Sequence, residues 1–265
     1  MSEPIIKTPE EIAIMREAGR IVALAHEAMR EAVAPGVSTL ALDRIAAEVL
    51  ADHGATPAFL GYPKPDAPPF PATITASINH ELVHGIPDEK RILQEGDIIS
   101  LDVGCHYEGF VGDAARTWPV GEVAPAAQRL IDATRDTLYA AIEEARAGRR
   151  VSFIARTTQG FAASRGYIVA KEYTGHGVGR KMHEPPAVPN WWPSGRWRRH
   201  PYHAADVVLQ PGMTLAIEPM LIVGREYLVE LDDGWTVVTR DGSLCAHWEH
   251  SIAVTEGDPL ILTLP

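Results

Sequence analysis

Apolar positions recur at roughly helical spacing near the start of the chain, at Ile12, Met15, Val22, Met29 and Val33, with His26 on the same face. Thr8-Pro9-Glu10-Glu11 opens this run with a capping residue, a proline suited to the first helical position and a glutamate at the capping-box position. Pro35-Gly36 ends it. Val37 to His53 predicts a second helix, closed by Gly54, and a proline-rich loop follows at 61–71. Two strand-like stretches, ATITASIN and DIISLDVG, come next. The order then repeats. Pro125 to Gly148 and Val151 to Ser164 read as helices, followed by strands around YIVAKEY, MTLAIEPMLIV, EYLVEL, WTVVT and LCAHWEHSIAV, with DDG and RDGS as turns. No long linker or low-complexity tract intervenes, so the expectation is one domain over 1–265 with halves of roughly 1–120 and 121–265.

A nonapeptide pattern strengthens the repeat. Residues 94–102 read QEGDIISLD and residues 210–218 read QPGMTLAIE. Each has Gln, a spacer and Gly, then a mostly apolar run ending in an acid. His84-Gly85 precedes the first copy and His176-Gly177 the second. Helix pairs that cannot bury their apolar faces alone predict an α+β fold: two pseudo-symmetric halves sharing a curved antiparallel sheet, with helices on its outer face. Chance similarity between short QxG stretches is the alternative, and the matched His-Gly turns weigh against it.

The acids at strand ends carry the candidate chemistry. In SLDVGCHYEGFVGDAAR two strands flank a short turn; centred at Tyr107-Glu108, it sets Asp102 directly opposite Asp113, with β-carbons about 5 Å apart. Like charges so placed destabilise a sheet, and carboxylates are rarely buried unpaired. A cation resolves both problems; two harmless acids on a solvated hairpin face are the alternative. The apolar neighbours Ile98, Ile99, Leu101, Val103 and Phe110 favour a buried pair. Glu218 and Glu249 lie in apolar strands of the second half, and His176 sits in the glycine-rich TGHGVG. Four carboxylates balance two divalent cations, and oxygen-rich donors with one imidazole suit Mn(II), Fe(II) or Co(II). Paired metals bridged by carboxylates are a known hydrolytic device.

Composition narrows the setting. Acids outnumber bases 35 to 24, a formal charge of −11, which argues against general nucleic-acid binding. Cys105 and Cys245 form no CxxC pair, fitting a reducing compartment. The N-terminus carries acids and lacks an apolar signal core. No stretch approaches the roughly 18 apolar residues of a membrane span. The expectation is a cytoplasmic protein with no membrane partner.

Together, IKTPEEIAIMREAG, SIN…VHGIPDE, GDIISLDVG…GFVGDAARTWPVG, TGHGVGRKMHEPP, LQPGMTLAIEPM and DDGWTVVTRDGSLCAHWEHSIAVT carry a resemblance running nearly end to end. The chain resembles the type I methionine aminopeptidases, of the creatinase-like pita-bread fold. The resemblance implies metal-dependent removal of N-terminal methionine from peptides and nascent chains, with a small second residue preferred and a metal-bridging hydroxide attacking the first peptide bond. It implies two divalent ions (Co, Mn, Fe or similar) held by Asp102, Asp113, His176, Glu218 and Glu249. His84 matches a histidine near the scissile amide, His183 one that binds the substrate carbonyl, and Glu218 also matches a proton shuttle. Physics asks for such partners: donors aimed at the developing oxyanion and an acid for the leaving amine. A monomer is implied as well.

Phe59, Tyr62, Phe70 and Trp235 resemble the lining of the family's methionine pocket, with His84 and His183 at its edge. The chain departs from the pattern at Phe59 and Thr75, where cysteine is frequent, and at Met182, where phenylalanine often stands. The segment PKPDAPPF is longer than in compact members, which puts the alignment of 59–70 in doubt. The stretch 189–206 resembles an insertion, with Trp191, Trp192 and Trp197 interleaved with Arg196, Arg198 and Arg199. An ordered rim at the site's mouth is the favoured reading, and a transient ribosome contact through stacking and charge is the sharper one. Two further functions compete: a proline-directed peptidase of the same fold, disfavoured because its relatives carry an extra N-terminal domain, and a metal-free peptide- or ribosome-binding homologue, disfavoured because all five ligand positions are kept. The type II insertion finds no room in the 34 residues between His183 and Glu218.

Overall fold

The computed structural model describes residues 3–194, 200–204 and 206–265. Arg196, Trp197, Arg198 and Arg199 lie outside the described residues. The first half runs α1 (Pro9–Ala32), α2 (Thr39–Asp52), β1 (Thr56–Pro57), β2 (Ile74–Ile78), β3 (Glu81–Val83), β4 (Ile98–Tyr107) and β5 (Phe110–Pro119). The second runs α3 (Pro125–Ile142), α4 (Val151–Ser164), β6 (Ile168–Val169), β7 (Thr174–Gly177), β8 (Glu184–Pro189), α5 (Pro201–Ala204), β9 (Thr214–Ile217) and β10 (Met220–Ile222). It closes with β11 (Leu228–Glu230), β12 (Val237–Thr239), β13 (Cys245–His247), β14 (His250–Ala253) and β15 (Leu260–Ile261).

The local signals act as the sequence predicts. Thr8 and Glu11 form a reciprocal capping box at the start of α1, which satisfies two otherwise orphaned donors. The second helix begins at Thr39, later than its apolar pattern suggests, because Ser38 takes the cap and accepts from Ala41 N–H. The third ends at Ile142, six residues short of Gly148, in a chain of turns.

Each helix pair covers a strand layer. Ile21, Val22 and Met29 of α1 and Leu42 and Leu50 of α2 bury against Ile74, Ile99, Leu101 and Val103. In the second half, Leu138 and Ile142 of α3 and Val151 and Ile154 of α4 bury against Leu215, Ile217 and Ile252. The helix α1 lies very close to β5: a Cβ on Gly112 would stand 2.6 Å from the carbonyl carbon of Ala18, so only glycine fits there. Among the described residues the antiparallel strands form four hydrogen-bonded sheets, the largest ordered β15-β14-β9-β7-β8.

The nonapeptide repeat is a structural repeat. Gly96 and Gly212 both adopt left-handed φ, +90° and +87°. In each copy the residue after the glycine donates its N–H to the glutamine carbonyl, Asp97 to Gln94 and Met213 to Gln210, both at 3.1 Å. Each glycine N–H then bonds the end of the neighbouring strand, at Val120 or at Val254. The turns thus fix β4 beside β5 and β9 beside β14 in the same way. The halves meet where β5 runs past β14: Glu249 N–H donates to Ala115 O at 2.8 Å, and Ser251 Oγ donates to Asp113 O at 2.8 Å. That seam carries the acids of both halves to one place.

Candidate metal centre and substrate cavity

All five sequence-predicted ligand positions line a single cavity of about 200 Å³, and so do His84, His183, Phe59, Tyr62, Phe70 and Trp235. The hairpin geometry differs from expectation. Glu108 and Gly109 form a two-residue turn with left-handed φ of +46° and +80°, pairing Tyr107 with Phe110. Asp113 therefore faces Gly104, and Asp102 faces Ala115. The acids are diagonal neighbours on one face, not a directly opposed pair, because the turn is centred one residue later than Tyr107-Glu108. Gly104 opposite Asp113 leaves space taken by Met182 and Phe59, whose atoms a Cβ there would meet at 2.7 and 3.1 Å.

The acids are buried, and their electrostatics shows the cost. Burial, with the charge of Asp113 adding to it, pushes Asp102 well above the usual carboxylate range. Burial raises Asp113 to about 7. Burial and the neighbouring acids raise Glu218 and Glu249 as well. Asp102 Oδ1, Asp113 Oδ1 and Glu249 Oε1 are buried without a hydrogen-bond partner. Unsatisfied oxygens clustered in this way are a poor protein interior and a good cation cradle.

His176 is oriented for the same purpose. Its Nδ1 bonds the Gly177 carbonyl at 3.0 Å, which puts the ring proton on Nδ1 and the Nε2 lone pair toward the acids. That Nε2 lies 3.8 Å from Asp113 Oδ2 and 3.5 Å from Glu218 Oε1. Burial, together with nearby His183, pulls the His176 pKa down to about 3, keeping the ring neutral. Among the described residues, two groups of donors have their ligand atoms within 4.8 Å of one another: Asp113, His176 and Glu249, and Glu218, His247 and Glu249. Glu249 belongs to both. Asp102 belongs to neither; it lines the same cavity, and its Oδ1 has no hydrogen-bond partner. Oxygen donors with imidazole fit a moderately hard divalent cation.

His247 is the residue the sequence reading missed. It is buried, lines the cavity and stands two residues before Glu249. Alternation along AHWEH was the available signal, since positions two apart share a face.

The apolar end of the cavity is built from the loop before β2 and the strand β12 region. Phe70 and Trp235 meet edge to face at 5.1 Å, and Trp235 Nε1 donates to Pro68 O at 2.8 Å. His84 carries a left-handed φ of +61°, an uncommon conformation outside glycine, and its ring lies 6.2 Å from that of Trp235. Burial, with the positive charge of Lys64 adding to it, lowers its pKa to about 4. The His183 ring lies 4.3 Å from that of His176, tilted 56° to it, and its Nδ1 lies 2.7 Å from the Tyr62 hydroxyl. Away from the cavity, Trp191 donates its Nε1–H to Lys171 O, and Trp192 is buried against Tyr202 and His203. These two tryptophans are packing residues of the fold.

Residues 13–256 match metallopeptidase family M24, and the chain belongs to that family. Its relatives include the methionine aminopeptidase 1 of Bacillus subtilis (strain 168), 46% identical over 98% of both chains. The methionine aminopeptidase of Clostridium acetobutylicum is 44% identical over 98% of both. Among solved structures, the methionine aminopeptidase of Thermotoga maritima superposes with a TM-score of 0.92 at 40% identity, covering 99% of this chain and 100% of that one. The prolidase of Pyrococcus furiosus, at 22% identity and a TM-score of 0.75, shares the fold and extends beyond it, with 66% of its length covered. The resemblance read from the motifs and the expected pita-bread fold are borne out. Among the described residues no helix is long and apolar enough to cross a membrane.

Proposed function

We propose that the protein is a metal-dependent aminopeptidase that removes the initiating methionine from peptides and nascent chains, with a small second residue preferred. The observation that carries this reading is one cavity in which buried, unpartnered carboxylate oxygens adjoin an aromatic wall. The full-length likeness to methionine aminopeptidases supports it. Two divalent cations, Mn(II), Fe(II), Co(II) or similar, held by Asp102, Asp113, His176, Glu218 and Glu249, would supply an acidified water and offset negative charge developing on the carbonyl oxygen.

The chain's own residues do the rest. Phe59, Tyr62, Phe70 and Trp235 form an apolar slot for an unbranched side chain, and Met182 narrows it on the Gly104 side. Neutral His84 offers a ring N–H to the scissile amide, and His183 offers its Nε2–H to the substrate carbonyl. Glu218 moves a proton on its carboxylate from the attacking water to the leaving amine. The main-chain bond between Ala115 and Glu249 supports treating 1–265 as one catalytic domain. We read it as a monomer of the cytoplasm. Trp191 and Trp192 pack inward and away from the cavity, so they support neither a rim at its mouth nor an exposed stacking surface. A ribosome contact through that segment would rest on Arg196, Trp197, Arg198 and Arg199.

A peptide series tests the substrate assignment. Met-Ala-Ser should be cleaved at least tenfold faster than Leu-Ala-Ser, with Ala-Pro left intact. Preference for Ala-Pro would move the assignment to a proline-directed peptidase.

A further inference from the structure

Glu218 stands between two imidazoles, one facing each carboxylate oxygen. Its Oε1 is 3.5 Å from His176 Nε2, and its Oε2 is 3.5 Å from His247 Nε2. The two sides are chemically different. On the Oε1 side, His176 has committed its ring proton to the Gly177 carbonyl, so a lone pair faces Glu218, and Asp113 Oδ2 lies 3.8 Å from the same nitrogen. That side adjoins the donor group of Asp113, His176 and Glu249, while Glu218 and His247 form the second group with Glu249. On the Oε2 side, His247 Nε2 is buried and has no hydrogen-bond partner.

The backbone of His247 is held firmly. Its N–H donates to Thr117 Oγ1 at 3.0 Å, and its carbonyl accepts from the same hydroxyl at 2.8 Å. Ser100 Oγ lies 2.8 Å from that hydroxyl, so the ring's base is anchored to both strands of the β4–β5 hairpin. A buried ring nitrogen this well anchored needs a partner, and Glu218 Oε2 is the polar atom it faces. Carboxylates that ligate metals are in turn held by hydrogen bonds from outside the coordination sphere.

We propose that His247 is a positioning residue for Glu218. In the Nε2–H tautomer it donates to Oε2, and a shift of a few tenths of an ångström brings the 3.5 Å separation to hydrogen-bond length. The bond holds the carboxylate with Oε1 turned toward His176 and the cation donors. It thereby sets cation affinity and the geometry of proton transfer by Glu218. The inference rests on the reading of Glu218 as ligand and proton carrier given above.

The test compares His247→Gln, which keeps an N–H donor, with His247→Leu and the near-isosteric His247→Met, which do not. Chelator-stripped protein is titrated with Co(II), followed by calorimetry and visible absorption, with a thermal melt of each apo variant as a folding control. The expected result is a loss of roughly 10- to 100-fold in Co(II) affinity for the apolar variants. The glutamine variant should stay close to the natural protein, with an unchanged absorption envelope. With Met-Ala-Ser, the apolar variants should lose kcat with little change in KM. Equal losses for Gln and Leu would make His247 a direct cation ligand and overturn the proposal, as would natural affinity in the folded apolar variants. A natural protein that binds no Co(II) would overturn the metal-centre reading itself, and this proposal with it.

Discussion

The hydroxyl of Tyr62 lies 2.7 Å from Nδ1 of His183. A phenol at neutral pH is an O–H donor, and burial, with the charge of Asp113 adding to it, raises the Tyr62 pKa further. With the phenol as donor, the bond places the His183 ring proton on Nε2, the nitrogen that would address a substrate carbonyl. Tyr62 is thus a positioning group as well as pocket lining. Tyr62→Phe keeps the ring and removes the bond. The expected result is a fall in kcat of about fivefold, matching a hydrogen bond worth about 1 kcal/mol, with KM and melting temperature nearly unchanged. A larger effect on KM than on kcat would assign Tyr62 to side-chain binding alone.

The turn carrying His183 is held from a second direction. Lys7 Nζ and Glu184 Oε2 form an ion pair at 2.5 Å, both side chains 3% exposed. Glu184 Oε1 accepts the N–H groups of Arg180 at 2.9 Å and Lys181 at 3.2 Å. Lys7→Met should cost about 3–5 kcal/mol in urea unfolding, because it leaves a buried carboxylate unpaired. Adding Glu184→Gln, which keeps an acceptor and removes the charge, should restore at least half of that loss. Equal stabilities for the single and double variants would deny the pair its electrostatic role.

Much of this architecture is legible in the chain because its signals are local. The Thr8–Glu11 box, the glycines of the two QxG turns and the period of the helix pairs depend only on neighbouring residues, and each appears where its chemistry requires. The ligand positions are legible for a related reason: an acid inside an apolar strand conflicts with its surroundings unless something binds it. The register of Asp102 and Asp113 is not legible in the same way, since it turns on whether Tyr107 or Glu108 takes the first left-handed position. His247 and the Tyr62–His183 bond belong to contacts between distant segments, which periodicity does not encode. The tryptophans at 191 and 192 carry a further lesson: the Trp- and Arg-rich run reads as a rim of the site or a stacking surface, while these two rings pack inward, away from the cavity.

His26 gives the fold a pH dependence of definite sign. It is fully buried in α1, with Nε2 bonded to Ala114 O at 2.9 Å, and burial, aided by the charge of Arg116, holds its pKa well below 6.5. The unfolded chain takes up a proton near pH 6.5 that the folded state refuses, so stability from this group is present above that pH and drains away as pH falls below it. Between pH 7.5 and 5.5 the natural protein should lose about 1 kcal/mol relative to His26→Gln. Urea midpoints of the two proteins at both pH values measure this, and a constant gap between them would contradict it.

Removing metal should destabilise the protein without unfolding it, because the two helix–sheet cores do not depend on the site. With cation at about 100 times its dissociation constant, the loaded form gains about 2.7 kcal/mol. For a chain of this size that corresponds to about 5–10 °C in melting temperature. Differential scanning calorimetry with and without chelator reads the shift, and identical melts would mean that the clustered acids hold no cation.

The central claim is that these buried acids make a hydrolytic metal centre serving an N-terminal methionine. The most direct measurement is free methionine released from Met-Ala-Ser by chelator-stripped protein, titrated separately with Mn(II), Fe(II) and Co(II), beside Glu249→Gln. The stripped protein should release no methionine, at least one of the three ions should restore release, and the variant, whose altered residue belongs to both donor groups, should lose at least about a hundredfold. Release that survives chelation, or that Glu249→Gln leaves intact, would contradict it.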